Sequence, residues 1–157
     1  MLTPSDFMAA IKAALKKTFP NDQAIYENLV ERDMKRPSTM VELVTMQIME
    51  IGTHTTRFLF RYKITNLINP DDYGDSDFAA LDLRTLAIEG IFGAGYLKVG
   101  DRAPKVTSCT SEHNRDYTQV TVDFSVAFDR AEFEPAEILP LMQQLDLKTK
   151  TKEDTIL

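Results

Sequence analysis

The side-chain types that most often do chemistry are scarce in this chain, which has two histidines, His54 and His113, and one cysteine, Cys109. With Glu112 they are the residue types that hold zinc, but zinc ligands recur at short regular spacing. Here a cysteine pair is lacking and His54 falls in a different predicted turn. The same residues offer no nucleophile and base in a recognisable strand–turn–helix context. We therefore predict a protein that is not an enzyme, with no catalytic residue, metal site or cofactor, and with Cys109 as a small apolar residue of a strand.

Two other stretches resemble binding loops only superficially. The aspartates Asp71, Asp72, Asp75 and Asp77 lack the spacing and terminal glutamate of a calcium loop, which favours a solvated loop with a helix cap. The three glycines of segment 90–95 (GIFGAG) close a predicted helix, whereas dinucleotide-binding glycines follow a strand and open one. Neither stretch predicts a ligand.

A row of basic side chains, Arg57, Arg61 and Lys63, alternates with the aromatic and β-branched residues of segment 58–64. This period of two is typical of a half-buried strand whose aromatic face packs on a core. The basic face is either a solvated outer face of the sheet or a contact for the acidic side chains of a second molecule. The assembly interface predicted from the second interpretation comprises Glu42, Glu50, Arg57, Leu59, Arg61 and Lys63.

These residues belong to a predicted hairpin of two long strands, 41–66, joined near Gly52. With a three-residue loop at 52–54, Val44, Met46 and Ile48 share the face of the aromatic residues. Because the first strand is apolar on both faces near its middle, it is either covered by helices on both sides or pressed against a second chain.

A first helix is predicted from the capping pattern of Thr3, Pro4 and Asp6 up to Pro20. Its buried face consists of Phe7, Met8, Ile11 and Leu15.

A second helix is predicted over 77–92, capped by Asp75 or Ser76 and ended by glycines. Its residues Phe78, Leu81, Leu86 and Ile88 are expected to be mostly buried.

Further strands are predicted at 24–30, 96–99, 105–110 and 120–128, and a short last helix after Pro135 with Ile138, Leu141, Met142 and Leu145. The predicted fold class is therefore α+β, a mostly antiparallel sheet with a long central hairpin, two helices packed on one face, and a short C-terminal helix or tail. Residues 1–147 form a single predicted domain, and 148–157 a charged, flexible tail.

The composition and net charge of the chain limit the kinds of function that it can have. The chain has 157 residues, 43% of them hydrophobic and 27% charged, and a net charge of -6. This indicates a globular protein and argues against binding nucleic acid through general phosphate contacts. The single cysteine, the absence of a signal-peptide pattern at the start and the lack of an apolar run of about 20 residues favour the cytoplasm and exclude a membrane-spanning helix.

Several segments together resemble the tail terminator proteins of contractile and flexible-tailed phages, closest to the prophage and phage-tail-like bacteriocin group. The resemblance covers about residues 4–130. The segments that carry it are Phe19-Pro20, 25–27 (IYE), 35–37 (KRP) leading into an apolar strand, Gly52, the strand 57–64 (RFLFRYKI) and the late strand 120–128.

The resemblance implies a hexameric ring that caps the tail tube, stops its polymerisation and joins it to the sheath or head-side connector. The implied partners are further copies of the chain, the tube protein, and the sheath or connector protein. Genome DNA passes through without specific binding, and no membrane is involved. Assembly would take place in the cytoplasm of the host bacterium, and the protein would end in the virion or tail-like particle. An alternative from another class is a small ligand-binding or enzymatic domain with a pocket between the second helix and the sheet.

Overall fold

The computed structural model describes residues 1–28, 34–73 and 76–133. The elements are α1 (Pro4–Thr18), β1 (Ala24–Glu27), β2 (Ser38–Ile51), β3 (Thr55–Leu67), α2 (Phe78–Phe92), β4 (Lys105–His113), β5 (Thr118–Asp129) and a 3-10 turn at Arg130–Glu132. One five-stranded sheet has the order β1-β2-β3-β5-β4. Only β1 and β2 pair in parallel, and the other neighbours are antiparallel. The predicted α+β class is confirmed.

Helix α1 begins as its sequence predicts. The Thr3 hydroxyl accepts a hydrogen bond from the Asp6 N–H, and the Asp6 carboxylate accepts one from the Thr3 N–H at 2.8 Å. These hydrogen bonds, first that to the Thr3 backbone, lower the pKa of Asp6. The predicted apolar face is buried against the sheet, where the Phe7 ring lies 4.9 Å from that of Phe60. The hydroxyl of Tyr62 donates to the Pro4 carbonyl at 2.9 Å and thereby joins the helix start to the sheet.

The long hairpin has the register that the sequence predicts in its outer half. Met46 lies opposite Phe60 and Ile48 opposite Phe58, so both share the aromatic face. An irregularity between Leu43 and Thr45 places Leu43 opposite Tyr62. Because a bulge shifts the alternation by one residue, Leu43 rather than Val44 continues the apolar face toward the core. Val44 is therefore displaced from the position predicted for it.

Strand β1 pairs with only the first four residues of β2, from Ser38 to Val41. Asn28 ends the pairing: it has φ 54, and its side-chain oxygen accepts the Leu43 N–H at 3.2 Å. Beyond Leu43, no strand pairs with the outer edge of β2 among the described residues. The predicted strand 24–30 is thus seen as far as Glu27, and positions 29–30 lie outside the described residues. We call residues 44–51 the free edge of β2.

Helix α2 differs from its prediction in its cap residue and in its buried face, and partly in how it ends. Its cap is Asp77, whose carboxylate accepts the N–H groups of the next turn, not Asp75 or Ser76. Phe78 and Leu86 are exposed, because the face on the sheet is set by the helical spacing of Leu81, Thr85, Ile88 and Phe92. Gly93 and Gly95 follow the end of the helix as predicted, whereas Gly90, also predicted to end it, lies inside the helix. Gly95 has a positive φ of 85° that glycine adopts without strain.

The core lies between the helices and one face of the sheet. Phe124 on β5 is fully buried and contacts the rings of Phe7, Tyr62 and Phe92 at centroid distances of 5.4 to 6.0 Å. Segment 96–99 forms isolated bridges to Arg102 and Lys105 rather than a full strand. The predicted last helix and the tail 148–157 lie outside the described residues.

Candidate interaction surfaces

The face of the sheet away from the helices carries all six residues of the predicted interface. The register places Glu42 opposite Lys63 and Glu50 opposite Arg57, on the face opposite to that of the aromatic residues. Leu59 lies on the same face but is buried within the subunit. The six predicted interface residues therefore lie on one face of the sheet, although Leu59 is already buried within the subunit.

The charge of Arg61 is satisfied inside the subunit. Its guanidinium donates two hydrogen bonds to the Asp123 carboxylate, from Nε at 2.7 Å and from Nη2 at 2.9 Å. The Ser108 hydroxyl donates to the same carboxylate at 3.0 Å. The hydrogen bonds from Arg61 lower the pKa of Asp123, and the bonded carboxylate raises that of Arg61. Arg61 therefore holds β3 to β5 and has little charge left for a second molecule.

Arg57 is exposed, whereas Arg61 and Lys63 on the same face are half-buried. Its Nε lies 3.7 Å from the Glu50 carboxylate, and both side chains are largely exposed. Pairs of this kind contribute about 0–1 kcal/mol, so they can be exchanged for partners on another molecule at little cost. Arg57 and Glu50 thus remain candidates for the charged contact that the sequence predicts.

The free edge of β2 is strongly apolar at its surface. The exposed fractions are 57% for Met46, 52% for Ile48 and 70% for Ile51. We call these residues, together with the exposed Val44 and Met49, the β2 ribbon. A contiguous apolar surface next to unpaired strand backbone is a template for association with another chain.

A second apolar surface lies on α2, on the side away from the sheet. Leu83 and Leu86 are 68% and 65% exposed, and the exposed Ala79 and Gly90 continue the same line at helical spacing. We call these four residues the α2 stripe. Large apolar side chains that line up on the face of a helix away from the core indicate a covering partner. This surface was missed in the sequence, which only predicted that the helix is mostly buried.

The two surfaces lie on different sides of the subunit. Helix α2 packs mainly on β5 and also contacts β4, which lie toward one edge of the sheet. The free edge of β2 lies toward the opposite edge. A buried ion pair holds α2 in place: Arg84 donates to the Asp22 carboxylate at 2.8 and 2.6 Å and lies 4.1 Å over the Phe19 ring. The stripe is therefore presented on a fixed support.

A groove separates α1 from the side of the sheet where the free edge begins. It has a volume of about 430 Å³, and its apolar lining includes Met8, Leu43 and Tyr62. Lys12 and Glu27 lie at its rim and are joined by a hydrogen bond of 2.6 Å. Its shape can accept apolar side chains from a second molecule.

The chemistry-bearing residues do not converge. His54 is exposed in the hairpin turn, while His113 lies at the end of β4 with its Nδ1 3.1 Å from the Asp82 carboxylate. Burial, followed by the nearby Glu89 charge, raises the pKa of Cys109 to about 11, which keeps the thiol protonated. In residues 1–28, 34–73 and 76–133, no three His, Cys, Asp or Glu side chains gather as a metal site would require.

The space between α2 and the sheet, where the alternative function would need a pocket, is filled. Leu81 and Ile88 are buried there, and Phe92 packs its ring 5.7 Å from that of Phe124. Phe78 does not contribute, because it points outward and lines a surface depression beside His113. The part of α2 that meets the sheet is thus core rather than a cleft.

The fold and its surfaces define an α+β subunit with a five-stranded sheet, helices on one face and two separate exposed apolar surfaces. No protein-family model matches the chain, and a search of curated proteins finds no match. Neither helix of the described residues is long and apolar enough to cross a bilayer.

Proposed function

We propose that the protein is a structural subunit that packs against copies of itself in a ring, of the kind that ends a phage-type tail tube. The observation that carries the proposal is the pair of unlike apolar surfaces, the β2 ribbon and the α2 stripe. Burying each large side chain contributes roughly 1.5–3 kcal/mol, so a subunit with both surfaces exposed gains by association.

The placement of these surfaces favours a ring over a two-fold dimer. A two-fold contact uses the same surface on both partners, whereas two different surfaces on different sides of a subunit join head to tail. Head-to-tail contacts close into a ring when the rotation between subunits allows it. The charged face with Glu50 and Arg57 then supplies polar contacts at the rim of such an interface.

The assignment to a tail terminator comes from the resemblance of residues 4–130 to that family. The proposed ring, hexameric by that resemblance, sits on the end of the tube and joins it to the head-side connector or sheath. The net charge of -6 suits a channel through which DNA slides without binding. The proposed place of assembly is the cytoplasm of the host bacterium, and the final place is the virion or tail-like particle.

The test is tube capping. Purified tube protein of the same phage or tail-like particle is polymerised with and without the chain. The particles are then imaged by negative-stain electron microscopy. We expect shorter tubes with a ring at one end as the ratio of chain to tube protein rises. Tubes of unchanged length with bare ends, at every ratio, would contradict the proposal. A ring seen with the chain alone and no effect on tubes would retain self-association and refute the terminator assignment.

A further inference from the structure

We infer that the groove between α1 and the beginning of the free edge of β2 receives helix α2 of a second copy of this chain. The inference rests on the proposed self-association and specifies which two surfaces meet. It assigns the groove, which reaches β2 at Leu43 next to the start of the β2 ribbon, and the α2 stripe as the two halves of one head-to-tail contact.

The lengths of the two surfaces match. The groove beside Met8 is followed along α1 by a second concavity of about 300 Å³, which shares Lys12 and extends to Phe19. Together they run along the whole of α1, which has 15 residues, as does α2. At 1.5 Å per residue each helix is about 22 Å long, so one helix can lie beside the other over its full length.

The charges at the two surfaces are complementary. The lining of the groove carries Lys12 and the exposed Lys16 together with two carboxylates, Glu27 and Asp22. Glu27 is bonded to Lys12, and Asp22 to the Arg84 of the same subunit. The α2 stripe is flanked by Asp82 and Glu89, and the single arginine of α2 is turned inward to its own ion pair. Asp82 lies 3.1 Å from His113 of the same subunit, so Glu89 is the acid beside the stripe that can meet Lys16. An exposed lysine in the groove and a glutamate beside the stripe favour this partner over a second groove or a second stripe.

The ends of the stripe allow close approach. A Cβ added at Gly90 would meet no atom within 4 Å, and Ala79 is exposed at the other end. Small residues on both sides of Leu83 and Leu86 leave the two leucines as a ridge that can enter the groove. Their side chains reach the neighbour only if the flanking positions stay small.

The test uses paired cysteines near the middle of each helix, where the distance between them depends little on the direction in which the two helices run. In a Cys109→Ala background, Ala9→Cys on the groove side of α1 is combined with Leu86→Cys on the stripe, both at exposed positions. A disulfide requires Cβ atoms about 3.5–4.5 Å apart. With copper–phenanthroline as oxidant, we expect a ladder of covalent multimers from the double variant and no species beyond dimer from either single variant.

A matched control pairs Leu86→Cys with Thr110→Cys, which is exposed on β4 and outside the groove, and no ladder is expected from it. If the double variant assembles to the wild-type mass without forming the ladder, the docking mode is overturned while the proposed function stands. If it stays monomeric with and without tube protein, the docking mode and the self-association on which it rests both fail. If Ala9→Cys is protected from a thiol reagent in the dilute monomer, the chain's own residues cover the groove and the inference is wrong.

A second variant separates docking from folding. Gly90→Gln adds a side chain into open space at the end of the stripe, and it replaces glycine by a better helix former. We expect an unchanged or higher thermal midpoint together with a loss of at least tenfold in ladder formation when it is added to the double-cysteine variant. An undiminished ladder would overturn the proposed contact.

Discussion

Replacing Leu83 and Leu86 together by alanine removes the ridge of the α2 stripe without removing any contact of the subunit core. The two side chains are 68% and 65% exposed, so about two-thirds of each is available for burial by a partner. Truncating a buried leucine to alanine removes three carbon groups at ~0.8 kcal/mol each, so two-thirds burial corresponds to about 1–2 kcal/mol per side chain. The pair should therefore weaken each subunit contact by roughly 2–4 kcal/mol, which is a 30- to 700-fold increase in the dissociation constant.

The assay compares assembly with stability. Analytical ultracentrifugation gives the dissociation constant, and urea unfolding of the dilute subunit gives the free energy of unfolding. We expect the unfolding free energy to change by less than about 0.5 kcal/mol, since exposed substitutions usually do. Leu81→Ala is the matched control on the same helix: its side chain is buried, so it should lower stability by roughly 2–5 kcal/mol. Unchanged assembly of the Leu83→Ala/Leu86→Ala variant would refute the role of the stripe.

Three further predictions concern the charged groups. Arg84→Met leaves Asp22 buried without its partner and should destabilise the subunit by roughly 3–5 kcal/mol in urea unfolding; a loss under 1 kcal/mol would contradict the anchoring role. The pKa of Asp123 in the folded state lies below its ordinary 3.8, so Asp123 binds fewer protons when folded than when unfolded. The stability that ionised Asp123 contributes is therefore lost as the pH falls through its folded pKa. The stability difference between wild type and Asp123→Asn should therefore be constant well above the ordinary carboxyl pKa of 3.8 and narrow as the pH falls below it. A difference that stays constant at low pH would show that the bond to Arg61 does not act through this charge. Arg57→Glu places two acids together at an exposed pair and should weaken assembly while unfolding changes by less than about 1 kcal/mol; unchanged oligomer mass would remove Arg57 from the interface.

Local signals in the sequence predict much of the fold. The capping box at Thr3 and the period-two strand 120–128 depend on neighbouring residues only, and both are present as predicted. The hairpin loop at Gly52 predicts the pairing of Met46 and Ile48 correctly, but the register shifts twice, between Ile48 and Glu50 and between Leu43 and Thr45. Neither shift could be predicted, because each depends on the pairing with β3 rather than on a local turn signal.

The surfaces could be predicted less well than the strands. The apolar content of α2 predicts that the helix is buried, but which side faces the sheet is decided by the contacts of Ile88 and Phe92 with the core. Likewise, the alternation places Arg61 on the outer face, but its bond to Asp123 joins residues 62 positions apart in the chain. Pairing over such a distance leaves no pattern in a single sequence, so the sequence places Arg61 in an interface although its charge is paired within the subunit.

The bond between Arg61 and Asp123 decides which charge variants report on assembly. If Arg57 and Arg61 both lay in the interface, as the sequence predicts, reversing them together to glutamate would weaken assembly without affecting the fold. Since Arg61 is held by Asp123, its reversal would oppose two carboxylates inside the sheet and would disturb the subunit as well. Arg57 alone is the residue of this pair that reports on assembly.

The proposal that this chain is the building block of a ring is decided by mass photometry and sedimentation of the purified full chain over a range of concentrations, alone and with tube protein. We expect a closed species of one defined mass, in either condition, that a substitution in the α2 stripe dissociates. A monomer at every concentration, with tube protein present as well as absent, would contradict it.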